Sequence, residues 1–145
     1  MNEKVHRKLS SIYLAASGDD MDRAAHWFNH LTLAGITCTS GWMQAISDNG
    51  NVANPRDASR EERLKWSDQN LNKIAQADVL WYLVSPTAHG RGGYYESGYA
   101  TALGKIVIFS GDTLQSIFCA KGSEYVDDLA AFAKVCRLIK DGAWV

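Results

Sequence analysis

The chain has 145 residues, 46% hydrophobic and 21% charged, which is the size and balance of one globular domain spanning residues 1–145. Fifteen Lys and Arg stand against sixteen Asp and Glu, a net charge of −1. That lacks the basic excess of a phosphate-backbone binder, so no polymeric nucleic acid partner is expected. The three cysteines, Cys38, Cys119 and Cys136, have no paired spacing, which excludes a disulfide framework or zinc knuckle and fits buried thiols in a reducing cytoplasm. The longest apolar run, Val79 to Val84, is far short of the ~20 residues that span a bilayer, and no signal-peptide core stands at the start. Neither membrane insertion nor secretion is expected.

In chain order, Ser10 to Ala16 is a short apolar strand, followed by the turn cluster Ser17-Gly18-Asp19-Asp20. From Met21 to Leu33 the apolar positions Ala24, Ala25, Trp27, Phe28 and Leu31 recur at helical spacing, and Gly35 sits where a helix cap belongs. Ile36 to Thr39 reads as a brief second strand, and Ser47 to Pro55 as a mobile polar loop. A second helix starts at Ser59, whose pairing with Glu62 matches a capping box, and runs through Leu64, Leu71 and Ile74 to Ala77. Val79 to Val84 is a third strand, apolar enough to be buried on both faces. Ser85 to Gly93 is a glycine-rich turn, Tyr95 to Leu103 a helix closed by Gly104, and Lys105 to Phe109 a fourth strand. Ser116 to Ala120 reads as a fifth strand and Glu124 to Ile139 as a closing amphipathic helix.

Strands alternating with helices predict an α/β fold: a doubly wound, flavodoxin- or Rossmann-like parallel sheet of about five strands with helices on both faces. Ligands of such sheets bind beyond the carboxyl ends of the strands, where the strand order reverses. The candidate site is therefore formed by the loops at Ser17, Trp42 and Ser85 to Glu96.

Within that region Gly92 and Gly93 permit close approach of backbone to a ligand, and a helix start with free amides favours anionic groups. Glu96 falls in the first turn of its predicted helix, where an acid is also stabilising by itself. A carboxylate at a pocket rim can attack the anomeric carbon of a sugar, forming a glycosyl ester that water or another acceptor resolves. Arg91 suits a bidentate contact to phosphate or a base edge, or serves as a solvated loop charge. Trp42, with Met43 and Trp66, can wall a base by stacking, although Trp66 equally suits core packing. His89 is the single histidine of this stretch, so no metal is expected at the site, and no cofactor is implied.

Three segments, Ser11 to Ser17, Ile74 to Leu80 and Gly92 to Val107, taken in order, resemble successive signatures of the nucleoside 2-deoxyribosyltransferase superfamily, which includes nucleoside 5′-monophosphate N-glycosidases. The most specific part is the run Glu96-x-Gly98-x-Ala100-x-x-x-Gly104-Lys105. The resemblance implies that Glu96 is the catalytic nucleophile and that Tyr13 contacts the sugar or this glutamate. It also implies that Ser17 binds a 5′-phosphate and that Ser97 lies among the substrate contacts. By residue type alone Tyr13 equally suits a strand core and Ser17 a helix cap. The family's aspartate, eight residues before Asp78, is here Asn70, which hydrogen-bonds a hydroxyl but neither acts as a base nor raises the pKa of Glu96 by repulsion. A homodimer or higher homo-oligomer is also what the resemblance implies. The expected activity is cleavage or exchange of the N-glycosidic bond of a nucleoside or its 5′-monophosphate, by a hydrolase or a transferase. The alternative is a catalytically impaired nucleotide-binding or sensing module on the same fold, which Asn70 favours.

Overall fold

The computed structural model describes residues 8–41, 55–86 and 91–141. Strand β1 covers Ser11–Ala16 and leads through a 3-10 turn at Gly18–Asp20 into helix α1, Met21–Leu33. The two-residue strand β2 is Thr37–Cys38, and helix α2 covers Arg60–Gln76. Strand β3 is Val79–Leu83, helix α3 is Arg91–Ala102 and strand β4 is Ile106–Ser110. Two 3-10 turns, Thr113–Gln115 and Ile117–Lys121, precede strand β5, Ser123–Tyr125, and helix α4, Asp128–Lys140.

The five strands are parallel in the order β2-β1-β3-β4-β5, so the order reverses between β1 and β3. This is the doubly wound arrangement that the alternating pattern predicts. Successive side chains of a strand point to opposite faces, and both faces here are buried. Ile12, Leu14, Trp81 and Ile108 pack against Trp27 and Leu31 of α1 and Val135 of α4. Tyr13, Ala15, Tyr82 and Phe109 pack with Ile74 of α2 and Ala100 of α3. Central β3 has every residue buried, which accounts for its unbroken apolar run.

Helix α1 has the predicted bounds, because Ala24, Trp27, Phe28 and Leu31 form one buried stripe. Gly35 and Gly104 adopt φ of +75° and +74° beyond their helices, a conformation that only glycine enters freely. The capping box of α2 is formed: Glu62 N donates to Ser59 Oγ at 3.0 Å, and Ser59 N donates to Glu62 Oε1 at 3.5 Å.

Three predicted boundaries are corrected. The segment expected as the fifth strand is instead the 3-10 turn Ile117–Lys121, capped by Phe118 N donating to Ser116 Oγ at 3.2 Å. Ile117 and Phe118 are 83% and 65% exposed and Cys119 is the one buried residue of the turn, so no alternating strand face is buried here, and β5 forms at Ser123–Tyr125 instead. Helix α4 starts at Asp128 rather than Glu124, with Asp127 Oδ1 accepting from Leu129 N at 2.9 Å. Helix α3 starts at Arg91, four residues before the expected Tyr95, so Arg91, Gly92 and Gly93 belong to a helix rather than to a loop.

Arg23 ties the α1 and α4 face together. Its Nε and Nη2 each donate to Asp128 at 2.7 Å, and Nη1 donates to Asp20 at 3.0 Å. Nη1 also donates to Val84 O at 2.7 Å and Nη2 to Ser110 O at 3.1 Å. One guanidinium thus joins the starts of two helices to the ends of two adjacent strands. No helix among the described residues is long and apolar enough to cross a membrane.

Candidate active site

Tyr13 lies in the middle of β1 on the α2 and α3 face and is 4% exposed. Glu96 lies in the second turn of α3, half-buried, and accepts a hydrogen bond at Oε2 from Tyr13 Oη across 83 residues of chain. The earlier start of α3 moves Glu96 out of the first turn, which contains no acidic residue. The expected contribution from the helix start is therefore corrected. That effect falls off within the first turn.

Burial instead governs the carboxyl group. Desolvation pushes Glu96 up to about 7, against which the donor from Tyr13 acts in the opposite direction. The Tyr13 phenol is raised far above its ordinary value by burial first, then by the charge of Glu96 and by the bond that it donates. It therefore remains a donor while Glu96 titrates near neutrality. A carboxylate poised in this way, bonded to β1, one of the two strands between which the strand order reverses, can act as a nucleophile or as a general base.

The other predicted residues are less concentrated. Ser17 follows β1 and caps the 3-10 turn, its Oγ accepting from Asp19 N at 3.3 Å. Asn70 is on α2 and exposed, as is Asp68. Arg91 and Gly92 are exposed at the start of α3, and no atom lies within 4 Å of a Cβ placed on Gly92. A Cβ on Gly93 would stand 2.1 Å from the Tyr82 ring. Its missing side chain is space that an aromatic ring fills. Ser97 is buried and donates from Oγ to Gly93 O at 2.6 Å, so its hydroxyl is turned onto its own helix. Trp66 is half-buried on α2. Trp42, Met43, His89 and most of the Ser47 to Pro55 loop lie outside the described residues.

One element of the site region has no sequence signal. Ser85, two residues beyond β3, is 1% exposed, and its carbonyl accepts from Gln115 Nε2 at 2.9 Å. Gln115 Oε1 in turn accepts from Tyr94 Oη at 2.8 Å. The 3-10 turn after β4 is thereby fastened to the segment that follows β3 and to Tyr94 of α3. Among the described residues no group of three or more His, Cys, Asp or Glu is placed to hold a metal ion.

No family model matches the sequence, and no curated protein matches it. Among solved structures the chain is similar to the CMP N-glycosidase BcmB of Clostridium botulinum, with a TM-score of 0.52 and 14% sequence identity over 87% of this chain and 98% of that one. At that identity the likeness is one of fold.

Proposed function

We propose that the chain cleaves the N-glycosidic bond of a nucleoside or nucleoside 5′-monophosphate through Glu96. The observation that carries this reading is the hydrogen bond from Tyr13 to a desolvated Glu96, next to the point where strand order reverses. The fold shared with a CMP N-glycosidase supports it. In the first step the ionised carboxylate attacks the anomeric carbon, and the electron pair of the breaking C–N bond leaves with the base. The glycosyl ester is then resolved by water, giving a hydrolase, or by a second base, giving a transferase. Tyr13 holds Oε2 so that the other oxygen faces the sugar, and it stabilises the carboxylate when it is released. Ser17 at the end of β1 and Arg91 at the start of α3 are the contacts proposed for a 5′-phosphate.

The test is incubation of the purified chain with ribo- and deoxyribonucleosides and their 5′-monophosphates, with and without a free acceptor base. Free base that disappears in Glu96→Gln is the expected result, and a swapped base identifies the transferase. A second reading, a nucleotide-sensing module, is favoured by Asn70, which is exposed and neutral where the resemblance implies an aspartate. It predicts a ligand that raises the melting temperature without being turned over.

A further inference from the structure

On the opposite side of the sheet from Glu96, α1 carries two histidines one turn apart. His26 and His30 are both exposed, and their imidazole centroids are 4.5 Å apart with the ring planes at 58°. Two imidazoles that share one ion, at about 2.1 Å per metal–nitrogen bond and bond angles of roughly 90 to 110°, leave their centroids roughly 4.5 to 5.2 Å apart. The pair already has that separation, so the spacing of the two rings admits one ion between them without movement of the helix.

The rings are also supported. His26 meets Trp27 edge-on at 4.7 Å, and His30 lies 5.5 Å from Trp27 and 5.9 Å from Phe132. Trp27 is itself fixed in the core against Trp81 at 5.5 Å, with its Nε1 donating to Asp128 at 3.1 Å. Imidazoles braced in this way lose less rotamer freedom on binding than a pair on an isolated helix. His26 further borders an open cleft of about 750 Å³ whose lining, among the described residues, includes Asp20, Asp112, Asp127 and Asp128 against one cation, Arg23. The local field therefore favours a cation over an anion.

We infer that His26 and His30 form a two-imidazole site for a divalent transition ion of borderline softness. Imidazole nitrogen suits Zn²⁺, Cu²⁺ and Ni²⁺ and discriminates against Mg²⁺ and Ca²⁺, which prefer oxygen. Each histidine ligates as the neutral ring through one nitrogen lone pair. With no third His, Cys, Asp or Glu grouped with them among the described residues, solvent completes the coordination. Binding joins two successive turns of α1, the helix whose Arg23 holds the ends of β3 and β4.

The experiment is calorimetric titration of the untagged protein with Zn²⁺ alone, on the wild type, His26→Ala and His30→Ala. Both positions are exposed, so both variants retain the fold, which circular dichroism checks. The expected result is one ion per chain in the micromolar range, weakened by roughly tenfold or more in each variant. Zn²⁺ should also raise the melting temperature in the wild type and not in the variants. No binding at millimolar Zn²⁺, or unchanged affinity in either variant, overturns the inference. Neither result depends on whether the Glu96 site turns over a nucleotide.

Discussion

On the α1 and α4 face Asp128 accepts from four donors: Nε and Nη2 of Arg23, Nε1 of Trp27 and Oγ of Ser110. On the α2 and α3 face Glu96 has one among the described residues, the hydroxyl of Tyr13. Burial pushes both carboxyl groups upward, but at Asp128 the bonds from Arg23 and Ser110 outweigh it and leave the group below its ordinary value. At Glu96 desolvation prevails and the group is left near 7. Two acids on helices that pack against opposite faces of one sheet, each bonded to a residue far along the chain, thus have opposite fates. A carboxylate whose lone pairs are filled becomes a strut, and one that is desolvated with a single donor becomes reactive.

The largest effect expected from breaking this contrast is at Glu96. Glu96→Gln should lower turnover by about a thousandfold or more while preserving the acceptor for Tyr13. It should also stabilise the fold. The native Glu96 binds its proton more tightly than an ordinary glutamate of pKa 4.5, so the wild type loses stability as pH rises from about 4.5 through about 7. Urea unfolding should place the variant roughly 3 kcal/mol above wild type at pH 8 and level with it near pH 4.

Asp128→Ala should behave in the reverse way. Removing the partner of the half-buried Arg23 is expected to cost about 3 kcal/mol at pH 7. Because the native Asp128 is more acidic than the unfolded one, its stabilisation is present above the ordinary aspartate range and is lost as pH falls through its lowered native value. The gap between wild type and variant should therefore close in acid, whereas the gap for Glu96→Gln opens in base. Parallel pH profiles for the two variants would contradict the comparison.

Tyr13→Phe is the mildest change. It removes the one bond that draws Glu96 downward, so the midpoint of the pH–rate profile should move above 7. Turnover at pH 7 should fall by about tenfold. As the proposed nucleophile, Glu96 has to be ionised to react, so the wild-type rate should itself rise about tenfold from pH 6 to pH 8. An unshifted midpoint in Tyr13→Phe would show that the phenol does not set the protonation of Glu96.

Much of this architecture is legible in the residues, and the gaps have physical causes. The bounds of α1, the capping box of α2 and the buried run of β3 are local patterns, and together they imply the sheet. Helix α3 conceals its start because Gly92 and Gly93 read as a loop, whereas Gly93 is in fact helical and packed on Tyr82. Ile117 and Phe118 suggest a strand by type, but both point to solvent. Tyr13 and Glu96 stand out individually, yet their contact spans 83 residues and no periodicity encodes it. Arg23 and Asp128 are 105 residues apart, and no local pattern announces that the packing of α1 and α4 brings them together. His26 and His30 show a four-residue spacing, but only the fold reveals that both rings face outward on a braced helix.

The most direct measurement is the intact mass of the chain during a single turnover with a ribo- or deoxyribonucleoside 5′-monophosphate, followed by peptide mapping. Glu96 as nucleophile predicts a transient gain of one glycosyl phosphate on the peptide that contains Glu96, absent in Glu96→Gln. Release of free base with no such adduct, at an undiminished rate in Glu96→Gln, would contradict it.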